Sequence, residues 1–234
     1  MLTKTFSLAV LLGGTGLASA QKEPIQIVDE APSPDRDPFG IEATGEALGT
    51  APVQLTASNG RIYIGGAQVQ PTNCSSAQSV HDFAAFIWRS DRTLWLHGRD
   101  PAHSQQVWAD VNGGDGLTGY STAQQATPGQ ASLRPFEIDP DTRRVTFHGI
   151  TAKGCPEDSS KPTTAPFGIW FSTQVKPGNL ANCFDVTLKA YKTVYADACT
   201  YSHLPSCEEE PESCGSMKDP IPIGGKPPAA REEN

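Results

Sequence analysis

The sequence predicts an all-β fold: a single compact β-sandwich or barrel with disulfides, flanked by disordered acidic ends, with a β-trefoil as the alternative. Short β-rich runs recur between turn residues through the middle of the chain. No apolar pattern holds a 3.6-residue period for three turns without Gly or Pro. The composition, 22 Gly and 20 Pro against 37% hydrophobic residues, suits a loop-rich β domain better than a helical bundle.

Residues 1–20 read as a secretory signal. Lys4 supplies the positive start, Phe6 to Leu12 the apolar run, and Ala18-Ser19-Ala20 the small-residue cleavage site. The run is too short to span a bilayer. Residues 21–38 follow as an acidic, proline-rich linker, expected to be disordered. Pro24, Pro32, Pro34 and Pro38 break any helix there. Ile25, Ile27 and Val28 could at most add a short edge strand.

The β domain is expected over residues 39–203. Its candidate strands are Phe39–Thr44, Val53–Leu55, Arg61–Gly65, Phe83–Trp88, Thr93–His97, Gln106–Asp110, Leu117–Tyr120, Phe136–Ile138, Arg143–His148, Phe167–Ser172 and Phe184–Tyr191. Asn59-Gly60, the Asn112–Gly116 loop, Asp139-Pro140-Asp141 and Pro177-Gly178-Asn179 carry turn chemistry between them. Residues 79–87 fit one short helix or a strand. In the last run Phe184, Val186, Leu188 and Ala190 alternate with Asp185, Thr187, Lys189 and Tyr191. That is the pattern of a half-buried antiparallel strand. Phe86…Thr93–His97 and Phe136…Val145–His148 echo each other as hairpins, and a threefold repeat of such units would give the trefoil.

The net charge of −8 sits mostly at the ends: residues 21–38 carry −3, residues 204–234 carry −4, and the body only −2. A near-neutral body lacks the basic footprint of a nucleic-acid binder. Residues 204–234 are expected to be a disordered, acidic, cysteine-containing tail. The final residues are polar where a GPI signal needs an apolar tail, so no membrane anchor is expected.

Export places the six cysteines in an oxidising compartment, where an even number favours bridges. Cys74, Cys155, Cys183 and Cys199 belong to the body, and Cys207 and Cys214 to the tail. Six cysteines allow about 15 pairings, and the sequence does not choose among them. A turn near residues 192–196 favours Cys183–Cys199, and Cys207–Cys214 would close a small Glu-rich loop. Cys74–Cys155 is then left. No CxxC spacing supports zinc. Asn73-Cys74-Ser75 is the one N-x-S sequon, a candidate glycosylation site.

No catalytic residues emerge. His97, His103 and His148 lack metal-site spacing and read as strand ends and a loop. Asp110, Asp115, Glu137, Asp139 and Asp141 could offer a glycosidase pair, but turn chemistry explains the Asp139 cluster and Asp115. No metal or cofactor site is expected. Of the aromatics, each of the four tryptophans, Trp88, Trp95, Trp108 and Trp170, reads first as core. Trp95, Trp108 and Tyr120 form the best candidate binding patch, since aromatic faces on a β surface can stack on sugar rings. Trp95 lies between Leu94 and Leu96, so either it or the leucine pair must face outward.

Taken in order, these residues resemble a known family. They run from Pro38-Phe39-Gly40-Ile41 through Arg61–Gly65, Asn73-Cys74, Thr93–His97, Gln106–Asp110, Gly116–Thr122, Phe136–Asp139, Val145–Gly149 and Cys155-Pro156. The series ends with Gly168-Ile169-Trp170, Gly178-Asn179, Cys183 and Cys199–Ser202. Together they are similar to the secreted fungal cell-wall proteins of the PhiA type, grouped with IgE-binding proteins of moulds. The resemblance covers residues 39–203. It implies a small secreted wall-associated protein, of a family linked to conidium and phialide development, with no catalytic residues to carry over. The expected protein is non-enzymatic and monomeric, with wall glycans or wall proteins as partners. The alternatives are a secreted glycan-binding or effector-like module, and a carboxylate-based glycoside hydrolase.

Overall fold

The computed structural model describes residues 26–66, 82–98, 104–111, 115–122, 127–128, 130–157, 160–161, 163, 166–194 and 196–202. The expected signal, Asn73, Cys74, His103, Cys207, Cys214 and the acidic tail lie outside them. The described strands are β1 (Gln26–Val28), β2 (Phe39–Thr44), β3 (Val53–Ser58), β4 (Arg61–Ile64), β5 (Ala85–Trp88), β6 (Leu94–Leu96) and β7 (Gln105–Asp110). They continue with β8 (Leu117–Thr122), β9 (Phe136–Ile138), β10 (Val145–Phe147), β11 (Ala152–Pro156), β12 (Phe167–Phe171) and β13 (Phe184–Val194). Every one of the eleven sequence-predicted runs contains a strand. The described part of the ambiguous segment 79–87 is extended or strand.

The antiparallel ladders close on themselves. From β13 they pass to β2, β5, β6, β7 and β8, then through β4, β12 and β11 back to β13, a closed nine-strand barrel. Strand β3 is seated between β2 and β4. Closure leaves no open edge around the ring, which suits the abundance of short strands. The two hairpins that echoed each other are both real, with Phe86 opposite Leu96 and Phe136 opposite Phe147. They are not equivalent units, because β5–β6 belongs to the barrel while β9–β10 is a separate two-stranded sheet. The barrel therefore replaces the trefoil alternative.

Alternation decides which side chains fill the barrel. Phe39, Ile41, Leu55, Ile64, Phe86, Val107, Ile169 and Leu188 are buried, and hairpin β9–β10 adds Phe136 and Phe147. Phe136 and Phe147 pack edge to face at 4.6 Å between ring centroids, and both rings approach Phe171. The residual void among these side chains is about 10 Å³. That is about the space of one water, so among the described residues this core is filled rather than a ligand-holding calyx.

Two expectations need correction here. The described part of the expected linker, residues 26–38, is laid against the body. β1 pairs with the end of β13, Gln26 opposite Val194. The Thr193 N–H and hydroxyl both donate to the Pro38 carbonyl at 2.9 Å. Asp29 pairs with Arg143, and Asp37 with Lys192. Prolines forbid a helix but tolerate an edge position, and the acids find cations just before β10 and on β13. The second correction is to the disulfides. Cys155 bonds Cys183, with 4.2 Å between their Cα atoms. This overturns both Cys183–Cys199 and Cys74–Cys155. Cys199 is also disulfide-bonded, to a partner outside the described residues.

Candidate functional site: the outer face of β5 to β8

With the described core filled, the outside of the barrel is where a partner would be met. On β6, Leu94 and Leu96 point into the core and Trp95 points out, half-buried. Cross-strand register sets its neighbours, with Ile87 of β5 on one side and Gln106 of β7 on the other. The same register puts Arg89, two residues beyond Ile87, on the diagonal of Trp95. The exposed Arg89 guanidinium lies over the indole, 5.3 Å from the ring.

A short relay fixes the indole. Its Nε1–H donates to Thr93 Oγ1 at 2.8 Å, and that hydroxyl donates to Asp91 Oδ1 at 2.6 Å. The Thr93 N–H also donates to Asp91 Oδ1, at 3.0 Å. The Thr93 hydroxyl, then its N–H, hold the Asp91 carboxyl below the usual carboxylate range. The result is an aromatic surface with a guanidinium donor and a carboxylate acceptor within one hairpin. Such a set can stack on an apolar ring face and hydrogen-bond surrounding hydroxyls.

The structure does not bring the other two predicted binding residues into this patch. Trp108 lies on the outer face of β7 but is 7% exposed. Its indole is seated on Gly119 of β8, where a Cβ would fall 2.6 Å from the ring, and its Nε1–H donates to Ser121 Oγ at 3.0 Å. Tyr120 points into the core at 2% exposure, and its hydroxyl donates to the Ser202 carbonyl. Burial pushes the Tyr120 phenol well above its usual range. Neither ring offers a free face, and both are corrected to packing roles. Trp170 is buried and Trp88 half-buried, its Nε1–H donating to the Phe136 carbonyl at 3.0 Å.

The remaining chemistry-bearing candidates hold the structure together. His97 accepts from the Cys199 N–H through its carbonyl, and His148 occupies the turn after β10. Asp139 accepts from the Asp141 and Thr142 N–H groups and the Thr142 hydroxyl, the turn role expected of it. Glu137 pairs with Arg92 at 3.5 Å. Sequence reasoning missed Arg89 and a half-buried ion pair of Arg61 with Glu157 at 3.1 Å, which ties β4 to the end of β11 across Gly168. The signal for Arg89 was present in the hairpin register. The signal for Arg61 required knowing that β11 existed.

A closed and filled β-barrel, disulfide-stapled and carrying its recognisable chemistry on its outer face, is a compact extracellular module. A family model for PhiA-like secreted proteins matches residues 39–202. The chain belongs to the PhiA-like secreted protein family. It is 30% identical over 169 residues to the cell wall protein phiA of Emericella nidulans, covering 70% of this chain and 86% of that one. No solved structure matches it significantly.

Proposed function

We propose that this secreted protein is a non-enzymatic component of a fungal cell wall, held there by non-covalent contacts with wall glycans or wall proteins. The observation that carries the reading is the outward Trp95 with Arg89 over it, on a barrel whose described core residues leave a void of only about 10 Å³. The name of its Emericella relative supports the location. In this reading the barrel acts as a monomer without a cofactor, and its link to conidium and phialide formation follows from the family resemblance.

The test is co-sedimentation of the purified protein with washed fungal walls. The wild type is expected to pellet. Trp95→Ala should weaken retention about 3- to 10-fold, the scale of one aromatic contact of about 0.5–1.5 kcal/mol. A wild type that stays wholly in the supernatant contradicts the wall reading. Retention untouched by Trp95→Ala contradicts the assignment of the face.

A further inference from the structure

Away from the Trp95 face, a surface groove of about 280 Å³ opens between the β7–β8 turn and the loop that follows β12. Val111, Ile150 and Phe171 form its apolar part, and Asp115, Ser172, Thr173 and Gln174 its polar part. The volume lies just below the usual range for small-ligand clefts, about 300–1,000 Å³, and suits a single small ring.

The described residues on both sides of the groove are braced. Asp115 adopts a left-handed backbone, φ 61°, and the next residue is Gly116, where any side chain would overlap the Phe171 carbonyl. The Phe171 N–H donates to the Gly116 carbonyl at 2.8 Å, tying the turn to the end of β12. The opposite loop is tied back to Asp115. Its Oδ1 accepts from Gln174 Nε2 at 2.6 Å, and its Oδ2 accepts from the Gly178 N–H at 2.9 Å. The Gln174 N–H donates to Ser172 Oγ at 3.2 Å, and Pro177 anchors the loop in the core. A groove fixed in advance loses little entropy when it is filled. Val175, 79% exposed and next to Gln174, stands on the same braced loop.

The lining selects the ligand by exclusion and by fit. Among the described lining residues the single charged side chain is Asp115, so an anion finds no counter-charge there and meets repulsion. A cation would find one carboxylate already bridging two donors, beside apolar walls. A neutral polyol ring matches what remains. The carboxylate keeps lone pairs free, about four sites with two used. Ser172 and Thr173 supply hydroxyls, and the C–H face of a pyranose can lie against the half-buried Val111 and Ile150.

We propose that this groove binds one uncharged pyranose residue of a wall polysaccharide, a site separate from the Trp95 face. The choice of polysaccharide rests on the wall reading above. Laminarihexaose and chitohexaose, as separate probes, distinguish a glucan from a chitin source in amide NMR titrations of the full secreted chain.

The expected result is saturable shifts at Asp115, Thr173 and Gln174 with one probe. Thr173→Arg, at an exposed position, should weaken that binding at least about tenfold by filling the groove. Trp95→Ala should leave these groove shifts unchanged. The proposal is overturned if neither probe moves the groove amides, or if Thr173→Arg binds as the wild type does. Wall co-sedimentation read in parallel separates the two claims. Wall retention without groove shifts leaves the wall reading standing and removes the groove. Groove shifts without wall retention do the reverse.

Discussion

Two residues deep in the barrel show how single side chains secure the segment that follows β13. Tyr201 is fully buried, and its hydroxyl accepts from the Ala85 N–H at 2.8 Å. Gln105, also fully buried, exchanges bonds with the Tyr201 backbone: its Nε2 donates to the carbonyl at 2.8 Å, and its Oε1 accepts from the N–H at 2.7 Å. Tyr201→Phe leaves the Ala85 amide without that acceptor, so equilibrium denaturation should show a loss of about 1–3 kcal/mol. Gln105→Leu removes two such bonds and should cost more. Burial also pushes the phenols of Tyr120, Tyr191 and Tyr201 well above the ordinary value of 10.0. A raised folded value means that the contribution to stability is full below 10 and is lost as pH rises past it. Phenolate absorbance at a pH just above 10 should therefore rise for only part of the five tyrosines until the protein unfolds. Full ionisation in an intact fold would contradict the burial.

At the scale of the strands, alternation made most elements legible. Leu94-Trp95-Leu96 demanded that either the tryptophan or the leucines face out, and the core took the leucines. Strand β13 has the predicted phase from Phe184 to Ala190. Tyr191 departs from it, lying on the outer face yet buried because it covers Gly40, where no side chain fits, and donates to Gln54 Oε1. Strand β11 was illegible, because Lys153, Gly154 and Pro156 break any apolar alternation in five residues. Its absence hid the disulfide. Gly154 faces Phe184 in the β11–β13 ladder, so Cys155 and Cys183 come next in register and staple its end. The same gap hid the Arg61–Glu157 pair. Trp108 was misjudged for a different reason: a tryptophan on the outer face becomes buried when its cross-strand neighbour is Gly119. Replacing Cys155 and Cys183 together by Ala opens a 28-residue loop and should cost about 3–4 kcal/mol in chemical denaturation. A loss near zero would mean that the ladder needs no staple.

For the whole molecule, closure and filling dictate where function can lie. Among the described residues the barrel core holds a void of only about 10 Å³, so both proposed recognition sites, the hairpin of Trp95 and Arg89 and the groove at Asp115, lie on the outside. The body is nearly neutral, as contact with uncharged polysaccharide allows, while the acidity lies toward the chain ends. The central claim is that this secreted barrel resides in the wall. Its most direct test is fractionation of the producing fungus, with the native protein followed in culture medium, in salt-washed walls, and in walls stripped by detergent and reductant. The account predicts a substantial share in the washed walls, released without cleavage of the polysaccharide. Recovery of all the protein in the medium, with none in the washed walls, would contradict it.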